Sequence, residues 1–109
     1  MADFPDLNGL MQAAQRMHKL AGPGTVLALP TAPSIAPPLA TSSDELESFR
    51  VRAMRLVCMA SISGLPQVTI PAGTADAAPV GLSFIGWRGG DEALLSLATA
   101  MAPLVGTAL

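Results

Sequence analysis

Few side chains in this sequence are of a type that does chemistry, and they fall at four places. Thr31 follows a short apolar run and stands just ahead of Pro33. A hydroxyl at the end of a strand can face a ligand pocket at the sheet edge; its simpler role is to stabilise a turn. Ser61 and Ser63 sit two residues apart before Gly64-Leu65-Pro66, where they can line a cleft or cap the carbonyls of a preceding helix. Neither is a nucleophile of the elbow type, because no Gly-x-Ser-x-Gly surrounds it. Trp87 precedes Arg88-Gly89-Gly90 and is read as a packing residue or as one wall of an aromatic pocket. Asp91 and Glu92 already occupy the helix start beyond it, which argues against an anion site there. The single cysteine, Cys58, has Arg55 three residues back but reads as a buried structural thiol. The single histidine, His18, lacks neighbours that would make it a general base and reads as a partly exposed surface residue.

The elements that must position these residues follow from periodicity. Leu7, Leu10, Met11, Ala14, Met17 and Leu20 recur at helical spacing, with Asp6 as cap and Gly22-Pro23 as stop. Thr25 to Leu29 is a short apolar run that predicts an interior strand, buried on both faces. Pro30 to Ser43 is a proline-rich loop, long enough to be functional or linker-like. A second helix is expected from Asp44 to about Ala60, started by a capping box of Ser42 and Glu45. Ser61 to Pro66 reads as a turn, Gln67 to Pro71 as a strand, Gly73 to Pro79 as a loop and Val80 to Gly86 as the partner strand of an antiparallel hairpin. Asp91 to Met101 predicts a last helix, ended by Pro103. The result is a mixed α/β arrangement of about three strands and three helices. A sheet of three strands is a poor one alone.

Composition narrows the function classes. The chain has 109 residues, half of them hydrophobic, and only 13% are charged, against roughly 25% in ordinary soluble proteins. A compact body of this mass exposes on the order of 5,500 Å², which so few charges cover thinly. Residues of this kind belong inside a larger body. A net charge of −2 gives no footprint for nucleic acid. One cysteine excludes an internal disulfide, and one cysteine with one histidine excludes a Cys/His zinc site. Leu20 to Ser43 and Leu56 to Ala75 are poor in charge but broken by proline and glycine, so neither is a membrane helix. The first residues lack a basic and then apolar leader. A cytoplasmic protein with no membrane partner is the expectation.

Three stretches, taken in order, resemble the C-terminal part of amidase-signature enzymes. They are Leu29-Pro30-Thr31-Ala32-Pro33 with Ala36-Pro37-Pro38, then Ser63-Gly64-Leu65-Pro66-Gln67-Val68-Thr69-Ile70-Pro71-Ala72-Gly73, then Pro79-Val80-Gly81-Leu82-Ser83-Phe84-Ile85-Gly86 followed by Asp91-Glu92-Ala93-Leu94-Leu95. Ala60-Ser61-Ile62-Ser63-Gly64 and Gly89-Gly90-Asp91 bring the wording nearest to the indole-3-acetamide hydrolase branch. Val57 and Ser61 stand where other branches commonly have Thr and Asn, so the substrate preferences of those branches do not carry over. The likeness covers Leu27 to Met101.

The resemblance implies a piece of the mixed-sheet amidase fold, with residues 1–22 as a leading helix and 25–101 as amidase-like strands and helices. It implies hydrolysis of a carboxamide to a carboxylate and ammonia, with no cofactor. In that family a lysine deprotonates a nucleophilic serine through a bridging serine, and backbone amides hold the oxyanion. This sequence has no Gly-Gly-Ser-Ser-Gly run, and its one lysine is Lys19. The expectation is therefore a chain inactive alone, partnered by the missing N-terminal amidase half. In the complete enzyme Thr31, Ser61, Ser63 and Trp87 would then touch the small amide. The competing reading is a non-catalytic α/β module that associates with itself.

Overall fold

A computed structural model describes residues 7–105. The cap expected at Asp6, and the side chains of Leu7, Leu10 and Met59, lie outside the described set. Six elements follow in the order α1 (Leu7–Leu20), β1 (Leu27–Pro30), α2 (Ser43–Ser63), β2 (Gln67–Ala75), β3 (Ala78–Ile85) and α3 (Asp91–Val105). The three strands form one antiparallel sheet in the order β1-β3-β2.

Several boundaries differ from those the sequence suggests. The strand expected to be interior, Thr25 to Leu29, begins later and lies at the edge of this sheet, with alternating rather than continuous burial. Its apolar residues split between the two faces of the sheet. The turn expected at Ser61 to Pro66 begins later too, because α2 runs on through Ser63. It stops at Gly64, whose φ of 69° is left-handed and whose N–H donates to Ala60 O; glycine takes that conformation without a Cβ clash. Its start is as expected, with Ser42 Oγ accepting from Glu45 N at 3.2 Å.

The loop expected between Gly73 and Pro79 is mostly strand. Ala75 pairs with Ala78, leaving a two-residue turn at Asp76 and Ala77, both at positive φ (49° and 62°). Two positive values in a two-residue hairpin turn match the right-handed twist of the strands. A register shift between Pro71 and Thr74 marks a β-bulge, and Gly73 carries its positive φ of 84°. Pro103 does not end α3 but lies within its last turn; it forfeits one backbone hydrogen bond there.

The sheet register sorts the side chains onto two faces. Phe84 pairs with Val68 and Ala28, and Leu82 with Ile70. This face packs on Leu94 and Ala98 of α3, with Leu97 and Met101 alongside. Leu94 is only 2% exposed, a burial that contributes about 1.5–3 kcal/mol. The opposite face presents Ile85, Leu27 and Leu29, and these meet Ala60 and Leu65 at the end of α2 and Met17 and Ala21 at the end of α1. The layers make a thin slab, 43 × 41 × 14 Å, with a radius of gyration of 15.5 Å; a compact chain of this length has about 13 Å.

Candidate substrate cleft

Leu29, Ser83 and Thr69 are directly paired across the three strands and therefore share one face of the sheet. Two residues beyond Leu29, Thr31 donates its N–H to Gly81 O at 3.3 Å and extends the same face. Its Oγ1 lies 2.7 Å from Ser83 Oγ, and Ser83 Oγ lies 3.0 Å from Thr69 Oγ1. Three hydroxyls thus form a row across the sheet, with Ser83 at its centre and 0% exposed. Each hydroxyl brings one proton, so two protons close the row and the third is left over.

Gly81 makes this arrangement possible. A Cβ at that position would stand 2.8 Å from Thr31 Oγ1 and 3.2 Å from Thr69 Cγ2. The missing side chain is the space in which the Thr31 hydroxyl reaches across β3.

Thr31 also faces an open cleft of about 910 Å³ between the Pro30–Pro37 loop, the sheet end and α2. Leu29, Phe49, Ala72, Leu82 and Val105 give it apolar walls, and among the described residues no charged side chain lines it. The cleft suits the uncharged, apolar part of a small molecule, with Thr31 and Ser34 as its hydroxyls. Among the described residues it holds no nucleophile with a base beside it. What it can do is bind and orient.

The other expected site residues lie elsewhere. Ser63 is buried; its hydroxyl donates to Ala60 O at 3.1 Å, and its carbonyl accepts from His18 Nε2 at 2.7 Å. Ser61 is exposed on α2. Trp87 is half-buried and packs against its own turn: Gly90 N donates to Trp87 O at 2.9 Å, and a Cβ on Gly90 would stand 2.5 Å from the indole Cε2. Of the four, Thr31 alone lines the cleft. His18 is exposed and ties α1 to α2, while Cys58 is half-buried rather than buried. No group of three or more His, Cys, Asp or Glu side chains able to hold a metal occurs among the described residues.

Ser83 and Thr69 are absent from the expectations. A signal for them did exist, since Ser83 is the one hydroxyl in the apolar run Val80 to Ile85. Only the strand register shows that it meets Thr31 and Thr69.

The chain is thus an antiparallel sheet covered by helices and bordered by an apolar cleft. Residues 9–95 match the Amidase family, and the chain belongs to that family. It is 41% identical over 78 residues to Outer envelope protein 64, chloroplastic, of Arabidopsis thaliana, spanning 72% of this chain and 13% of that protein. To Amidase 1 of Arabidopsis thaliana it is 41% identical over 89 residues, 82% of this chain and 21% of the relative. The Indoleacetamide hydrolase of Pseudomonas savastanoi is 41% identical over 81 residues, 74% of this chain and 17% of that protein. The fold is similar to that of a glutamyl-tRNA(Gln) amidotransferase subunit from Thermotoga maritima, with a TM-score of 0.73 at 22% identity over 86% of this chain and 21% of that one. The chain thus spans between about an eighth and a fifth of the length of these curated relatives.

Proposed function

We propose that this chain is the C-terminal portion of an amidase-signature hydrolase that converts a carboxamide and water to a carboxylate and ammonia. The observation that carries the reading is the match to Amidase 1 over 82% of the chain, with the motif-bearing strands lying along an uncharged cleft. The catalytic serines and lysine belong to the remainder of the enzyme, since this sequence holds one lysine and no Gly/Ser-rich run. Its contribution is a wall of the substrate cleft, with Thr31 as the hydroxyl that orients the substrate. Ser61, Ser63 and Trp87 reach the substrate only where the rest of the enzyme completes the cleft around them.

An arylacetamide such as indole-3-acetamide is the substrate class this reading favours. The similarity to Indoleacetamide hydrolase supports it, as does the apolar, aromatic lining that includes Phe49. Among the described residues no helix is long and apolar enough to cross a membrane, and a cytoplasmic setting goes with the reading. A second reading, a self-associating module without catalysis, draws on the apolar surface that the slab leaves exposed.

The test is a chimera in which the 89 matched residues of Amidase 1 are replaced by their counterparts from this chain. Release of ammonia from indole-3-acetamide, well above that of the chain alone, is the expected result. A folded chimera that releases none from this or any simple carboxamide overturns the proposal.

A further inference from the structure

The hydroxyl row at the cleft wall holds one proton more than it uses. Three hydroxyls make two hydrogen bonds, between Thr31 and Ser83 at 2.7 Å and between Ser83 and Thr69 at 3.0 Å. Ser83 is wholly buried, and among the described residues its Oγ has no other partner. A buried O–H left without an acceptor is costly, so Ser83 donates to one threonine and accepts from the other. The spare proton therefore sits at an end of the row. If Ser83 donates to Thr31, Thr69 donates to Ser83 and Thr31 keeps a proton for the cleft. If Ser83 donates to Thr69, Thr31 donates to Ser83 and offers the cleft lone pairs only. Thr69 is exposed and outside the cleft, where water serves it equally well as donor or as acceptor. Thr31 is half-buried and stands at the cleft wall beside Gly81. The occupant of the cleft thus decides which arrangement holds.

We propose that this row is a two-way hydrogen-bond relay, with Thr69 as the positioning residue through which Thr31 either donates to or accepts from a small uncharged ligand; the proposal rests on the reading of this cleft as the substrate cleft. Passing from one arrangement to the other turns three O–H bonds and moves no proton between oxygens. The class of ligand follows from the walls. Among the described residues no charged side chain lines the cleft, so the ligand is neutral. A carboxamide joined to an aromatic ring brings both an accepting carbonyl and donating N–H groups. A hydroxyl standing alone on an apolar wall also accepts from an N–H, but its own proton is then left without a partner. Through the relay that proton goes to Ser83, and the surplus emerges at Thr69, in water.

The experiment measures, by titration calorimetry on the chimera, the binding of two bicyclic probes of similar size. In 1-indanone the one polar group accepts; in indole it donates. Neither is an amide, so neither is consumed. Thr69→Val keeps the side chain's shape and takes away the hydroxyl that meets water. It is expected to weaken indole on the order of fivefold and to leave 1-indanone as tight as before. In a Ser83→Ala background, which cuts the row, Thr69→Val is expected to change neither, while Thr31→Val weakens both probes. A purely structural Thr69 would shift both probes together, and that result overturns the proposal. So does indole binding that Thr69→Val does not weaken, or a folded chimera that binds neither probe. Ammonia release is scored separately. A chimera that releases none but loses indole selectively with Thr69→Val supports the relay and refutes the catalytic reading; an active chimera whose indole binding ignores Thr69→Val does the reverse.

Discussion

Thr31 Oγ1 lies 2.7 Å from Ser83 Oγ across 52 residues of sequence, joining the edge strand to the centre of the sheet. Ser83 is wholly buried and makes a second bond to Thr69, so Ser83→Ala removes two hydrogen bonds at once. Thr69 is exposed and Thr31 half-buried, which lets water replace part of what each loses. The expected cost is about 1–2 kcal/mol, read as a lower urea midpoint with an unchanged m-value. An unmoved midpoint would mean that the hydroxyls do as well with water as with one another.

The approach of Thr31 to Gly81 gives a sharper prediction, because it concerns space rather than hydrogen bonding. Gly81→Ala puts a Cβ 2.8 Å from Thr31 Oγ1, and the Thr31 side chain must leave its position. Overpacking of this kind costs roughly 1–3 kcal/mol. Thr31→Ala removes the obstructing oxygen, so the double variant should recover part of that loss. A coupling energy of about 0.5 kcal/mol or more in the double-mutant cycle is expected. Strict additivity would show that the two residues do not compete for the same space.

The sequence makes α1 legible, because its apolar stripe and the Gly22-Pro23 stop bracket it, and the start of α2, because Ser42 and Glu45 form a capping pair. It is less informative where the physics is non-local. The β2–β3 turn is Asp76-Ala77, without the Asn-Gly or Asp-Gly pair that signals a tight hairpin. Without that signal the loop reads longer than it is, and the strand register stays hidden. The register in turn is what brings Ser83 opposite Thr69. Thr31 is legible as a candidate because it stands at a strand end, and the structure places it on the cleft lining. The separation of Trp87 from the cleft is not legible, because it follows from the turn that brings Gly90 against the indole.

That turn yields a prediction of opposite sign. Ala77 holds φ at 62°, a conformation that costs a residue with a Cβ about 1–2 kcal/mol. Ala77→Gly relieves this strain and creates the favoured Asp-Gly pair. Part of the gain is lost to the greater freedom of glycine in the unfolded chain. A net stabilisation of about 0.5–1 kcal/mol is expected in the same urea assay. Destabilisation by Ala77→Gly would place the turn's strain elsewhere, with Asp76 as the next residue to change.

The contact between His18 and Ser63 decides how firmly α1 is attached. Ser63 is the last residue of α2, where backbone carbonyls lack partners within the helix, and His18 Nε2 supplies a donor at 2.7 Å. His18→Ala leaves that carbonyl without this donor and should cost about 1 kcal/mol. His18→Gln keeps an N–H able to reach it and should cost less. The loss need not unfold the sheet, since the contacts of α1 run to the end of α2 through Met17 and Ala21. Faster limited proteolysis within α1, with the β2–β3 hairpin still protected, is therefore the expected pattern for His18→Ala. Equal protection of α1 in both variants would show that burial of Met17 and Ala21 against Ala60 and Leu65 holds the helix without help from the imidazole.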